Sequence, residues 1–426
     1  MVNLIVKRTI VSLAVGLLIG ASGLIFNNKE AQAAQGWVKD NNTGSWVYYN
    51  GNNTKAKGWL FLNKRWYYLD PNSGEMYTGS HFIDGVENHF TNDGTWICAV
   101  GNGTNSVTAQ QQTTGFGDQV ADANCDKGHS ISQVTNEWNK LKPVFKDSNI
   151  FNEAPSTKAP YKTGKVNKAY LNDCLNYINF ARYLAGIDSL KLDSDLTEQA
   201  QYGAVLTAAN KELEHEEPKH PSGMDENFYK IGQESTSSSN LSTSNLYKSI
   251  QSCLNDNHNL KGSSNIGHRE WLLDPKVTKI GLGTAENYSV QNLPFGDFDK
   301  SVDNPDILAW PSEGAFPNMA IARDAVWSID LNKDVYDIDG DVKVKITRLC
   351  DNKQWNLNKV DSFSAQTTGF KVLDYNPYGF GSKAHTIIFH IGSSDLPVQQ
   401  YLGKYKVEIS GLNKNVEYTI NFFTLS

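Results

Sequence analysis

The sequence lacks several features that mark common functional classes. It has 426 residues and a net charge of −7, so it lacks the basic excess typical of proteins that bind nucleic acid. It has no Cys-x-x-Cys pair, which argues against a zinc site made of thiolates. It also has no Gly-x-Ser-x-Gly and no His-Glu-x-x-His motif, which argues against a serine nucleophile and a zinc-protease helix.

Long apolar runs are scarce, and the one that exists lies at the start of the chain. Lys7 and Arg8 precede an apolar run over residues 9–26, and Ala31-Gln-Ala33 fits the site that signal peptidase reads. We therefore predict a signal peptide over residues 1–33, cleavage before Ala34 and an extracellular mature chain. This segment has three basic residues and one acidic residue, so the mature chain has a net charge near −9. An uncleaved membrane anchor is the alternative.

The five cysteines are an odd number, which leaves at least one free or intermolecular thiol in a secreted chain. Cys174 and Cys253 could form a disulfide if their helices pack together. Alternatively, both are small buried hydrophobic residues. The others are Cys98, Cys125 and Cys350.

A repeat of 21 to 22 residues opens the mature chain, and its units start at Gly36, Gly58 and Gly79. Each unit has aromatic residues followed by a turn rich in Gly or Asn. A unit this short predicts a β-hairpin that must stack on its neighbours, so residues 36–98 are predicted to form a β-hairpin solenoid. The third unit lacks the Trp and Tyr pattern, and we expect it to be a degenerate cap.

These units resemble the cell-wall-binding repeats of choline-binding and glucan-binding proteins of Gram-positive bacteria. In that family, aromatic rings of adjacent hairpins surround a quaternary ammonium group. The resemblance implies one or two such sites and a partner in the cell wall, either the choline of teichoic acid or another wall glycan. The residues it assigns to these sites are Trp37, Trp46, Tyr48, Trp59 and Trp66. Alternatively, the rings only fill the solenoid.

Residues 99–126 are rich in Gly, Thr, Gln, Asn and Ser and have no apolar period, which predicts a flexible linker. Beyond it, helical spacing predicts helices over residues 131–145, 167–185 and 246–254. Asp195 is predicted to cap a further helix that ends near Leu213. Asn179 and Arg182 are interpreted as structural residues that tie their helix to neighbouring loops.

Two histidines and a glutamate follow in short motifs. His215 comes just after the helix that ends near Leu213, Glu234 ends a Gly-Gln-Glu motif in a predicted polar loop, and His268 lies in Gly267-His-Arg269. Two imidazoles and a carboxylate can hold a divalent metal or perform acid and base chemistry. His220 is an alternative to His215.

These motifs, with Asn179-Phe-Ala-Arg182 before them and Ile280-Gly281 after them, resemble the bacterial form of the CAP superfamily. This is the SCP or cysteine-rich secretory/antigen 5/pathogenesis-related domain. The resemblance implies an α/β/α sandwich (CAP fold) over residues 127–292, with the histidines over one side of an antiparallel sheet. A second acid is expected near the end of the helix over residues 246–254, where Asp256 or, less closely, His258 stands. The implied ligands of a Zn²⁺ or Mg²⁺ ion are His215, Glu234, Asp256 and His268.

From about residue 310 the apolar period changes to two, as in Val342, Val344 and Ile346. This pattern predicts an all-β sandwich of Ig or fibronectin type over residues 305–426. His385 and His390 lie in one predicted strand, and we expect neither to bind a ligand.

Three functional hypotheses follow. In the first, the aromatic repeats attach a secreted protein to the cell wall, and the CAP-like domain binds a ligand, such as a lipid or a protein, through a metal. In the second, the same cleft hydrolyses peptides or wall material, with Glu234 or His268 in catalysis. In the third, the protein is an adhesin and its cleft residues are vestigial.

Overall fold

The computed structural model describes residues 35–41, 43–51, 54–63, 65–83, 86–91, 93–100, 128–143, 149–257, 265–294, 299, 301–349, 352–373, 376–396 and 400–425. The predicted signal peptide lies outside the described residues, as does the predicted linker apart from residues 99 and 100. Contacts divide the chain into two compact units: residues 1–58 with 69–76, and residues 59–68 with 77–426. In the described part of the chain, no helix is long and apolar enough to cross a membrane.

In the described part of the first unit, β1 (Gly36–Lys39) pairs antiparallel with β2 (Trp46–Tyr49) to form a β-hairpin. Trp37 lies edge-on to Tyr48, with ring centroids 5.3 Å apart, and Tyr48 is buried. Lys55 forms an ion pair with Asp40 beside this hairpin.

The later repeats form further small antiparallel sheets. β3 (Gly58–Leu62) pairs with β4 (Arg65–Leu69). β5 (Gly79–Ile83), β6 (Val86–Phe90) and β7 (Trp96–Val100) form a three-stranded sheet in that order. The predicted β-hairpin repeats are therefore confirmed.

The central region, residues 128–294, contains six helices among its described residues: α1 (Ile131–Leu141), α2 (Lys168–Leu184), α3 (Ser194–Asn210), α4 (Glu226–Ser237), α5 (Leu246–Asn255) and α6 (Gly267–Leu272). β8 (Phe151–Glu153) pairs with β9 (Lys165–Val166). A four-stranded sheet has the order β10 (Lys191–Leu192), β12 (Lys279–Ala285), β13 (Tyr288–Asn292) and β11 (Ser239–Ser242). Its pairs are antiparallel except β10 with β12, which is parallel.

Strand β12 presents its two faces to different helices. Ile280 and Leu282 belong to the same buried cluster as residues of α2 and α5. On the other face, a Cβ at Gly281 would lie 2.1 Å from the carbonyl carbon of Leu196, and one at Gly283 would lie 2.2 Å from the oxygen of Ala200. These glycines therefore let α3 pack directly on the strand. The sheet has helices on both faces, as the predicted α/β/α arrangement requires.

The predicted structural roles of Asn179 and Arg182 are confirmed. The Asn179 side chain donates to the carbonyl of Leu190 and accepts from its N–H. Arg182 is 0 % exposed. Its guanidinium donates to four backbone carbonyls, those of Asp188, Leu272, Asp274 and Val277. These bonds fix the segment that follows α6 against α2.

The predicted end points of α3 are wrong. Its N-cap is Asp193 rather than Asp195. The Asp193 side chain accepts hydrogen bonds from the backbone N–H groups of Asp195 and Leu196. The helix ends at Asn210, with Lys211 in the left-handed conformation, rather than near Leu213. His215 therefore lies in the loop beyond the helix, away from the direct influence of its dipole.

The predicted loop around Glu234 is also wrong, because Glu234 lies in α4 and residues 239–242 form β11. Close packing explains this helix. A Cβ at Gly232 would lie 3.0 Å from Leu206, and one at Gly203 would lie 2.6 Å from the hydroxyl of Ser235. Small residues at these positions let α3 and α4 approach each other, and this packing outweighs the weak helix propensity of serine.

The C-terminal region, residues 301–425, has two sheets that share a buried core rich in aromatic residues. The first has the order β14 (Ile307–Trp310), β16 (Trp327–Asn332), β20 (Ala384–His390) and β19 (Gly369–Leu373). The second has the order β15 (Gly314–Pro317), β22 (Val416–Phe423), β21 (Gly403–Ser410), β17 (Lys343–Arg348) and β18 (Lys353–Leu357). The period-two pattern therefore marks real strands, while the Ig or fibronectin type stays a prediction.

Cys174 in α2 and Cys253 in α5 are buried and free, so they form no disulfide with each other. Burial raises the pKa of the Cys174 thiol to about 12. The structure favours the interpretation of this pair as small buried hydrophobic residues. The side chains of the other three cysteines lie outside the described residues.

We expect Arg182→Ala to lower the free energy of unfolding by about 3 kcal/mol or more, because it leaves buried carbonyl oxygens without their donor. Urea unfolding followed by circular dichroism measures the change. Lys168→Ala, at an exposed position of the same helix, is the control and is expected to change stability by less than about 0.5 kcal/mol. Equal stability of the two variants would contradict the structural role of Arg182.

Candidate functional sites

Three tryptophans of the second unit line an apolar cavity of about 310 Å³: Trp59, Trp66 and Trp96. The Trp59 ring is edge-on to Trp66, with centroids 6.1 Å apart and planes at 89°, and to Trp96, at 5.7 Å and 90°. Trp59 and Trp66 are 42 % and 43 % exposed. Exposed large aromatic rings grouped around one cavity are typical of a binding site. We call these three residues the tryptophan cage.

Neighbouring side chains hold the cage rings in place. Tyr68 and Phe90 contact Trp59, with ring centroids 5.1 and 6.0 Å away, and Phe90 is fully buried. The indole N–H of Trp96 donates to the Oδ1 atom of the buried Asn88 at 2.9 Å. The cage is therefore preorganised, which reduces the entropy lost when a ligand binds.

The chemistry of the cage fits one kind of ligand. The faces of indole rings carry partial negative charge and attract cations, tryptophan most strongly. The cavity wall is almost entirely apolar, so a ligand there gains few hydrogen bonds. A quaternary ammonium group carries charge and has no N–H to satisfy, and it matches both properties.

The structure brings together only some of the aromatic residues predicted for this site. Trp59 and Trp66 lie in the cage. Trp37 and Tyr48 contact each other in the first unit, where Tyr48 is buried and fills its hairpin. Trp46, in the same unit, is exposed.

Trp96 is not among the predicted residues, because the third unit is predicted to be a degenerate cap. A signal for it exists in the sequence: Gly44-Ser-Trp46 and Gly94-Thr-Trp96 share a pattern. The third unit thus keeps one cage tryptophan although its first strand has none.

A second candidate site is a cleft of about 480 Å³ in the central region, with His215 and His268 among its lining residues. The structure therefore brings the two predicted histidines to the same cleft. The other residues that line it are Glu216, Ser237, Ser239, Asn240, Asn265, Gly267, Trp271, Pro377 and Tyr378.

Asp256 lies behind His268. Its Oδ1 atom accepts a hydrogen bond from Nδ1 of His268 at 2.8 Å, and its Oδ2 atom accepts from the backbone N–H of Arg269 at 3.2 Å. Asp256 is buried and ends α5 in the left-handed conformation. With Nδ1 donating to the carboxylate, the neutral imidazole has its lone pair at Nε2.

The pKa of His268 is raised above its ordinary value of 6.5. Burial alone would lower it, but the hydrogen bond and the negative charge of Asp256 outweigh burial. Because the folded-state pKa is the higher one, the stabilisation from this pair is complete below the unfolded-state pKa. It is lost as the pH rises through the folded-state pKa.

His215 is held differently. Its Nδ1 atom lies 2.9 Å from the carbonyl oxygen of Thr236 in α4. A carbonyl only accepts, so Nδ1 carries the proton and the neutral ring has its lone pair at Nε2. Both histidines of the cleft are therefore oriented through Nδ1, and both could act as a base at Nε2.

The predicted metal ligands are not assembled into one set. Glu234 is exposed on α4 and does not line the cleft. Nδ1 of His268 is bonded to Asp256, the other predicted acid. Within the described residues, no group of three or more His, Cys, Asp or Glu side chains is placed to hold a metal ion. The described arrangement does not fit the predicted ligand set, and the Zn²⁺ or Mg²⁺ site stays a prediction. The alternative residue His258 lies outside the described residues. For His220, the other alternative, the Nε2 atom lies 3.9 Å from Oε2 of Glu226.

Two family models match the chain. The cysteine-rich secretory protein family, CAP, matches residues 175–296, and a choline-binding repeat matches residues 34–82. The chain therefore contains a CAP domain and choline-binding repeats. The search of curated proteins found no match.

Several solved structures are similar to parts of the chain. Choline-binding protein F from Streptococcus pneumoniae, crystallised in its form II, is 29 % identical over 15 % of this chain and 21 % of its own, with a TM-score of 0.14. The choline-binding domain of Spr1274 from Streptococcus pneumoniae is 29 % identical over 15 % of this chain and 76 % of its own, with a TM-score of 0.14. A multimodular pneumococcal cell wall endolysin from phage Cp-1, complexed with choline, is 32 % identical over 15 % of this chain and 19 % of its own, with a TM-score of 0.13. The chain thus spans about a fifth of the length of the first and third of these proteins.

We expect Asp256→Asn to lower the pKa of His268, because burial is then no longer opposed by the carboxylate charge. NMR titration of the imidazole C–H signals measures it. His390 is an internal control. Burial and Arg323 lower its pKa and Asp256 is not among the causes of this shift, so its titration should be the same in the variant. An unchanged His268 pKa in the variant would show that Asp256 does not control this imidazole.

Proposed function

We propose that the protein attaches to the cell wall of a Gram-positive bacterium by binding quaternary ammonium groups, such as the choline of teichoic acid, in the tryptophan cage. The observation that carries the proposal is the arrangement of Trp59, Trp66 and Trp96, with Trp59 perpendicular to both of the others around one apolar cavity. The match of a choline-binding repeat to residues 34–82 supports the same conclusion.

The expected affinity of one cage is modest. A cation over an aromatic face gains about 0.5–2 kcal/mol, so three rings supply a few kcal/mol, and this corresponds to a millimolar dissociation constant or somewhat tighter. A wall polymer carries many copies of its head group, and multivalent contact raises the overall affinity without a new kind of contact. Docking by this cage is therefore reversible by free choline at high concentration.

In this proposal the protein is secreted, and the predicted signal peptide over residues 1–33 provides the route. The repeats hold the chain at the wall, and the CAP domain presents its cleft there to a ligand. The cleft offers two histidines, each oriented through Nδ1.

Acid and base catalysis in this cleft is a second candidate function, and the Asp256–His268 pair favours it. A buried carboxylate at Nδ1 fixes the tautomer of a histidine and stabilises the imidazolium that forms when Nε2 takes a proton. On this hypothesis His268 acts as the base toward a water molecule or a hydroxyl group in the cleft. Glu234 as the base, the metal ion and the adhesin role stay predictions.

We further infer that the C-terminal region has the Ig-type topology. The strand order supports this: β14, β16, β20 and β19 follow the order A, B, E and D of an Ig sheet, and the other sheet contains β22, β21 and β17 in the order G, F and C. The Greek-key connections of that topology place sequence-distant loops beside each other.

We expect Trp59→Ala, Trp66→Ala and Trp96→Ala each to weaken choline binding by about tenfold, because each removes one wall of the cage. Calorimetric titration with choline measures affinity, and sedimentation with choline-containing cell walls measures attachment. Phe82→Ala is the matched control, since Phe82 is 71 % exposed in the same repeats and lies outside the cage.

The control variant should bind choline and walls as the unmodified protein does. Choline affinity that is unchanged in all three tryptophan variants would contradict the proposed cage. Walls that retain the cage variants in full would contradict cage-dependent attachment.

A further inference from the structure

Helix α6 has two functional faces. His268 and Trp271, three residues apart, line the cleft. Arg269 and Glu270, which lie between these two residues in the sequence, are buried, and both form hydrogen bonds with the C-terminal region. The short helix that carries the candidate base is therefore also an element that contacts the C-terminal region.

Polar bonds fix this junction. Arg269 donates from Nη1 to the hydroxyl of Ser328 at 2.9 Å and from Nη2 to the carbonyl of Val326 at 3.0 Å. Glu270 accepts at Oε1 from Nδ2 of Asn376 at 2.9 Å and at Oε2 from the N–H of Gly381 at 3.0 Å. Buried polar groups bonded in this way hold both partners in one geometry.

The segment over residues 376–381, which we call the cleft loop, packs closely on α6. A Cβ at Gly379 would lie 2.2 Å from the carbonyl oxygen of Glu270. A Cβ at Gly267 would lie 3.0 Å from the ring of Tyr378. Glycine at both positions allows the segment to contact α6, and as a result Pro377 and Tyr378 of the cleft loop line the cleft. The C-terminal region thus completes a site that begins in the CAP domain.

The lining of the cleft restricts the class of ligand. Among the described residues that form it there is no Lys or Arg, and Glu216 is its one carboxylate. Ligands rich in phosphate or carboxylate would therefore find no Lys or Arg there, and only the two histidines could pair with their charges. The lining instead combines two aromatic residues, Trp271 and Tyr378, with serine hydroxyls, asparagine amides and histidines.

We propose that Tyr378 is a specificity-determining residue of a cleft shared by both regions, and that the cleft binds an uncharged glycan segment. A pyranose ring has apolar C–H faces that suit an aromatic ring and a rim of hydroxyls that suits amides and imidazoles. The volume of about 480 Å³ accommodates a short segment. Wall peptides carry several carboxylates, for which this lining has no Lys or Arg. The inference rests on the proposed function, because attachment to the wall brings the cleft to such glycans.

The test uses the full-length chain with saturating choline present, so that the tryptophan cage is filled. Calorimetric titration compares chitotetraose, an uncharged oligomer of N-acetylglucosamine, with an anionic peptidoglycan stem peptide. We expect chitotetraose to bind and the peptide not to bind. Tyr378→Ala should weaken chitotetraose binding by about fivefold or more, and Tyr378→Phe should keep it within about twofold.

Two controls separate the possible failures. Thermal unfolding shows whether Tyr378→Ala is folded; if it is not, Gly267→Ala, which pushes on the Tyr378 ring, takes its place and should also weaken binding. Trp59→Ala should weaken choline binding by about tenfold and keep chitotetraose binding, so this proposal and cage attachment can fail separately. Absence of chitotetraose binding, binding of the stem peptide instead, or equal affinity in the folded Tyr378→Ala variant would overturn the proposal.

Discussion

The buried guanidinium of Arg269 is the interaction on which the cleft depends. It is 1 % exposed and donates to the carbonyls of Leu254 and Asn255 at the end of α5, and to Val326 and Ser328 at the start of β16. Burial lowers its pKa to about 10, so it stays charged at neutral pH. A buried charge must be hydrogen-bonded, and these bonds hold the end of α5, helix α6 and the first C-terminal sheet in one arrangement. The arrangement places Asp256 behind His268 and the cleft loop beside helix α6.

The tryptophan cage depends on different physics. Its rings are held by aromatic packing and one indole hydrogen bond, and its wall is apolar. It suits a cation that needs no hydrogen bonds, whereas the cleft offers amides, hydroxyls and imidazoles to an uncharged polar ligand. The two sites therefore suit different ligands, one cationic and one uncharged and polar, and their chemistry is complementary rather than redundant.

Much of this was predictable from the sequence where the signal is local. The glycine-spaced aromatic units predicted hairpins, and the ordered motifs predicted that His215 and His268 would share a cleft. The serines after Glu234 have a weak helix propensity and predict a loop there, whereas packing of α4 on α3 through Gly203 and Gly232 makes this segment helical. Tyr378 had no local signal: the contact that positions its loop joins Asn376 to Glu270, which are 106 residues apart. Such contacts arise from domain packing, which no short motif encodes.

The most direct test of the account compares choline with 3,3-dimethylbutan-1-ol, which has the same shape and no charge. Both are titrated into the full-length protein by calorimetry. If the three indole faces recognise a cation, choline binds at least about tenfold more tightly than the neutral compound, and Trp96→Ala removes most of that preference. Equal affinity for the two compounds would show that the cavity only takes up apolar surface, and would contradict recognition of a quaternary ammonium group.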